Sequence, residues 1–116
     1  LFEGIILYPS GINIGYWDTS NVSSMKYMFS DTSFLGFNFI PEKSIGSWDV
    51  SNVTDMTGMF YNSEFNRDIG NWDVGNVTTM QSMFELSSFD KDIGNWDVSN
   101  VTDMSYIFSK SIFKNI

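Results

Sequence analysis

Tryptophan recurs at Trp17, Trp48, Trp72 and Trp96, at spacings of 31, 24 and 24 residues, and its surroundings recur with it. Laid over residues 69–92, the segment 45–68 is identical at 14 of 24 positions and the segment 93–116 at 13, where unrelated segments share only a stray match. The common frame is Ile-Gly-x-Trp-Asp-Val-x-Asn-Val-Thr-x-Met-x-x-Met-Phe-x-x-Ser-x-Phe. A period of this length belongs to repeat arrays, in which a unit contacts only its neighbours and cannot fold by itself.

Periodicity changes once inside each unit. In Ile69-Gly70-Asn71-Trp72-Asp73-Val74 the pair Trp72 and Val74 alternates with small or polar residues, which predicts a short strand with one buried face. In Val77, Met80, Met83 and Phe84 the apolar positions recur at i, i+3, i+6 and i+7, which predicts one stripe of a two-turn helix. Asn76, with Asn21, Asn52 and Asn100 in the same place, would cap that helix, and Asp55 and Asp103 would favour its N-terminus. The expected fold is an α/β, right-handed, leucine-rich-repeat-like solenoid. Short parallel strands line its concave side and two-turn helices its other side, because helices are wider than strands are far apart.

Departures from the frame set the expected organisation. Residues 1–13 read as an atypical N-terminal strand and turn, or as the end of a preceding coil. Residues 14–116 read as one array of about four repeats, a slice of a longer one, with an inserted loop near 35–44. The stretch 37–41 in that loop is apolar enough either to fold back over the coil or to meet a partner.

Chemistry is constrained by what is missing. The chain has no His and no Cys, which removes the commonest general base and the thiolate nucleophiles and ligands. With 6 Lys+Arg against 14 Asp+Glu the formal net charge is −8, which disfavours phosphate backbones and anionic lipid surfaces. No apolar run is long enough to span a bilayer. No phosphate loop, metal box or nucleophile motif is present, and no cofactor is expected.

The outward positions carry the remaining candidates. Asp18, Asp49, Asp73 and Asp97 sit beside each Trp on the opposite strand face, so stacking would bring like charges within about 5 Å, a repulsion of roughly 0.9 kcal/mol per adjacent pair in water. Either each aspartate closes its own turn, or the column forms an acidic stripe for Ca²⁺ or a basic partner. With Tyr16, Asn71 and Asn95 it forms the candidate partner surface. Trp17, Trp48, Trp72 and Trp96 read as a buried ladder, and Asn21, Asn52, Asn76 and Asn100 as a ladder satisfying backbone groups between coils, although each also begins an Asn-x-Ser/Thr sequon.

The string Asp68-Ile69-Gly70-Asn71-Trp72-Asp73-Val74-Gly75-Asn76-Val77-Thr78-Thr79-Met80, with relatives ending Trp-Asp-Val-Ser-Asn-Val-Thr-Asp-Met, resembles the BspA-like surface-protein repeat. That family occurs in mycoplasma lipoproteins and Gram-positive cell-wall proteins, and the resemblance covers about 14–116. It implies a leucine-rich-repeat-like fold and a surface scaffold for adhesion or protein contact, extracellular or on the cell surface. The expected function is therefore non-enzymatic contact with a protein partner or host ligand through the concave strand face. The alternative is a structural segment stacked against neighbouring subunits of a larger assembly.

Overall fold

The computed structural model describes residues 14–32 and 45–114. The expectations for 1–13 and for the inserted loop near 35–44 lie outside the described residues. Within them the chain makes four coils, starting at Ile14, Ile45, Ile69 and Ile93. Single parallel bridges join Ser24 to Asp55, Asp55 to Thr79 and Thr79 to Asp103, at the same offsets that separate the tryptophans.

Neither the expected strands nor the expected helices form among the described residues. The regular pieces among the described residues are two three-residue 3-10 turns, Ile14–Tyr16 and Ile45–Ser47, and the rest of the described chain is turns, bends and loops. The leucine-rich-repeat-like α/β solenoid is thus overturned, and its concave strand face with it. The reason lies in where the backbone N–H groups go. In the stretch expected to be helical, Met80, Ser82, Phe84 and Leu86 donate to Asp103, Ser105, Ile107 and Ser109 of the next coil, at 2.9 Å each. The residues between them stay local: Met83, Glu85 and Ser87 donate three residues back, to Met80, Ser82 and Phe84. A helix needs every N–H for its own i−4 carbonyl, and here every second one leaves the coil.

Two left-handed residues per coil aim these donors. They are Tyr27 and Asp31 (φ 55° and 55°), Gly58 and Asn62 (59° and 51°), Ser82 and Leu86 (56° and 58°), and Tyr106 and Lys110 (60° and 55°). A positive φ ends a right-handed helix, and for a residue other than Gly it costs about 1 kcal/mol or more. In the first three coils the cost is offset because each such residue is itself a cross-coil donor, as in Tyr27 to Thr57 and Gly58 to Gln81, both 2.8 Å.

The strand fails for a parallel reason. Around Trp72 the N–H groups are consumed locally: Trp72 donates to Ile69, Gly75 to the Asp73 carboxylate and Val77 to Val74. Alternation of buried Trp72 and Val74 with exposed Asp73 survives without a sheet.

Aromatic columns fill the core. Phe29, Phe60, Phe84 and Phe108 stack at 5.8, 5.7 and 5.6 Å between centroids. A second column, Phe65, Phe89 and Phe113, stacks at 6.2 and 6.0 Å and touches the first at 4.3, 4.5 and 4.2 Å within coils. Such near-parallel offset pairs each add about 0.5–1.5 kcal/mol to the burial itself. Met56, Met80 and Met83 are sealed beside them.

Candidate functional site

Each indole beyond the first coil is pinned to the coil before it: Trp48, Trp72 and Trp96 donate Nε1–H to the carbonyls of Ile14, Ile45 and Ile69 at 2.9, 3.0 and 3.0 Å. Trp17 stacks on Trp48, and Trp72 on Trp96, both at 6.4 Å. Trp48 and Trp72 are buried, whereas Trp96 is half-buried and Trp17 exposed. The tryptophan positions therefore lock successive coils together.

The asparagines do the same from outside. Asn52, Asn76 and Asn100 donate Nδ2–H to the carbonyls of Ser20, Ser51 and Gly75 in the preceding coil, at 2.7, 2.7 and 2.6 Å. With no helix to cap, their amides bridge coils instead. The helix-dipole role expected of Asp55 and Asp103 falls for the same reason: Asp55 accepts the Thr57 N–H at 2.9 Å and Asp103 the Ser105 N–H at 2.9 Å, closing turns.

Asp18, Asp49, Asp73 and Asp97 all lie exposed on one flank. Each turns one carboxylate oxygen, Oδ1, into its own chain, accepting the N–H of Ser20, Ser51, Gly75 or Ser99 two residues on, at 3.0 Å each. The Ser20 and Ser51 hydroxyls add bonds of 2.6 Å to Asp18 and Asp49. These serine hydroxyls, and then the serine N–H groups, hold the Asp18, Asp49 and Asp97 carboxyls below the ordinary range, and desolvation opposes them weakly. Asp18 also pushes Asp49 upward, so the like-charge repulsion is present and is outweighed. Ser105 lowers Asp103 in the same manner.

The sign of the pH dependence follows. A carboxyl with a depressed folded pKa contributes stability that is whole above the ordinary value of 3.8 and is lost as pH falls through the lower folded value, because the unfolded chain then binds more protons. The urea midpoint is expected to stay level from about pH 7 to about pH 5 and to fall below about pH 4. Removing the hydroxyls with Ser20→Ala, Ser51→Ala and Ser99→Ala should make that acid limb shallower. An identical limb in the triple variant would show that these hydroxyls do not set it.

Tyr16, Asn71 and Asn95 are exposed two residues before Asp18, Asp73 and Asp97, so the flank runs across all four coils, on turns and not on strands. Among the described residues no group of three acidic side chains is placed to hold a metal ion. Sequence reasoning missed a second column of aspartate turns: Asp68 and Asp92 accept the N–H groups of Gly70 and Gly94 at 2.9 and 2.8 Å. The Asp-x-Gly spacing was its signal. It also missed Asn66, whose Oδ1 accepts the Asp90 N–H at 2.9 Å, and Asp90, whose Oδ1 accepts the Lys114 N–H at 3.0 Å.

Among the described residues no helix is long and apolar enough to cross a membrane. The model of one protein family matches residues 2–40 and 33–115; its description reads Mycoplasma protein of unknown function, DUF285. No curated protein and no solved structure matches the chain.

Proposed function

The chain belongs to the DUF285 family of Mycoplasma proteins, and from that premise we propose that it is a non-enzymatic repeat scaffold making protein or adhesive contacts at a cell surface. The observation that supports this most is the exposed flank of Asp18, Asp49, Asp73 and Asp97. One carboxylate oxygen of each is tied into a turn, which fixes the group in place, while the side chain as a whole faces water. A column of charges already held in position loses little freedom on binding and selects for a basic partner surface. The likeness to BspA-like surface repeats favours the same role and an extracellular location. Catalysis is disfavoured, since four carboxylates in repeated, exposed settings lack the split environments that separate an acid from a base.

The probe is a short lysine-rich peptide titrated against the chain at low and high salt. Binding is expected at low salt, weakening as salt rises. The variant Asp49→Asn/Asp73→Asn/Asp97→Asn should bind about tenfold more weakly yet still unfold cooperatively near neutral pH, at a urea concentration lowered no further than acid lowers that of the parent chain, because an asparagine oxygen can still close each turn. No binding at low salt, or equal binding by the variant, would sink the proposal.

A further inference from the structure

We propose that the stack is an extensible tether: under tension along its axis it unravels one coil at a time, and on relaxation it re-stacks by laying each coil onto the one still in place. The reasoning is independent of the acidic flank and starts from what a coil keeps when its neighbours are removed. Within the third coil, local backbone bonds close single turns: Trp72 to Ile69, Val77 to Val74, Met83 to Met80, Glu85 to Ser82 and Ser87 to Phe84. The Phe84 and Phe89 rings, 4.5 Å apart, also lie inside it. An isolated turn of this kind does not hold in water, since its one bond does not offset the freedom lost by the residues it fixes.

The bonds that give the coil its path cross to a neighbour. At the junction with the fourth coil, the N–H groups of Met80, Ser82, Phe84 and Leu86 run forward. The Thr102 N–H, the Asn100 amide and the Trp96 indole run back, to the carbonyls of Thr78, Gly75 and Ile69. Phe84 stacks on Phe108 and Phe89 on Phe113 across the same junction, at 5.6 and 6.0 Å. Lifting a coil off therefore removes its fold along with its contacts, so that undocking and unravelling are one event.

The three junctions are alike. Thr54, Thr78 and Thr102 each donate N–H to the preceding coil at 2.8 Å, the indoles of Trp48, Trp72 and Trp96 do so at 2.9, 3.0 and 3.0 Å, and the first ring column repeats at 5.8, 5.7 and 5.6 Å. Among equivalent junctions, removing an outer coil breaks one and removing an inner coil breaks two. A load along the stack is therefore relieved from the outside inward, each coil yielding at nearly the same force, and this holds wherever an array begins or stops. A lone coil keeps no fold, so the last two leave together. The parallel bridges set one layer per coil, about 5 Å, whereas 24 residues drawn out span roughly 80 Å. Length thus grows more than tenfold with no covalent bond broken.

Optical tweezers holding the chain by handles at its two ends test this. Extension is expected in discrete steps that match whole units, roughly 80 Å for each 24 residues released, with the final step about twice as long. Relaxed after its first step, the chain should recover at nearly the force that extended it. Relaxed after its last, it should wait for a pair of coils to form anew. Two variants act on the junction between the second and third coils. Asn76→Ala removes a 2.7 Å bond from an exposed amide to Ser51, and Trp72→Phe removes the 3.0 Å bond to Ile45 while keeping a ring in the core. Each should lower the force of one step and leave the others in place. Release of every coil in a single event, steps unrelated to whole units, or a variant that lowers all steps alike would overturn the proposal.

Discussion

Phe84→Ala is expected to cost about 3–5 kcal/mol, the range for a core aromatic, and so to remove about a fifth or more of the roughly 5–15 kcal/mol that holds an ordinary domain folded. Phe84 is fully buried and touches four rings: Phe60 and Phe108 along its column at 5.7 and 5.6 Å, Phe89 at 4.5 Å and Trp96 at 6.3 Å. The hole left by its removal cannot close easily, since the backbones on either side are pinned by the Phe60 N–H to Met83 and Phe84 N–H to Ile107 bonds, both 2.9 Å. Phe108→Ala at the end of the same column removes a half-buried ring and should cost less than half as much. Urea unfolding of both variants decides it. Equal losses at the two positions would mean that the ring column is not what holds the coils together.

Gly70→Ala should cost about 1–3 kcal/mol through overpacking, although no left-handed φ is involved. A Cβ on Gly70 would lie 2.7 Å from the backbone carbonyl oxygen of Asp92 in the following coil and 3.2 Å from Asp68 Oδ1. The first obstacle is backbone, so relief requires two coils to part where the Trp96 indole reaches back to Ile69. Gly94 fills the same place one coil later, and a Cβ there meets only the Asp92 carboxylate, at 3.1 Å. Gly94→Ala is therefore expected to shift stability by no more than about 0.5 kcal/mol. Thermal melts of the two alanine variants, run side by side, test the contact directly. If Gly94→Ala proves as damaging as Gly70→Ala, the clash with Asp92 is not the cause.

How far the amino-acid order can be read is clear at particular residues. The offsets between tryptophans are the offsets between bridged residues, because the same side chains recur wherever a coil must meet a coil. The inward set of Trp72, Val74, Val77, Met80, Met83 and Phe84 is recognisable by hydrophobicity alone, and all of them are buried. What hydrophobicity does not carry is the path between them. An i, i+3, i+6, i+7 pattern is satisfied by a helix and equally by a run of three-residue turns whose alternate N–H groups point along the stack. Only Gly58, Asn62 and Asp31 among the left-handed positions have a local preference for that conformation. Tyr27, Ser82, Leu86, Tyr106 and Lys110 do not, and they adopt it because cross-coil pairing outweighs their own preference. The turn-closing role of the flank aspartates was readable from Asp-x-Ser and Asp-x-Gly spacing, whereas the inter-coil reach of Asn52, Asn76 and Asn100 depends on a register that no single unit contains.

The repeated bridge pattern also bears on how a gene for such a chain can change length. Thr79 meets Asp55 on one side and Asp103 on the other through equivalent partners, so every junction has the same two halves. Loss or duplication of one whole 24-residue unit by unequal crossing-over joins halves that already match. A slip that alters the spacing between a tryptophan and the apolar residues that follow it within one unit would break that match, whereas the 31-residue step from Trp17 to Trp48 leaves Trp48 buried. Selection on a lineage carrying this array would therefore filter insertions and deletions by where in the unit they fall before filtering them by their content.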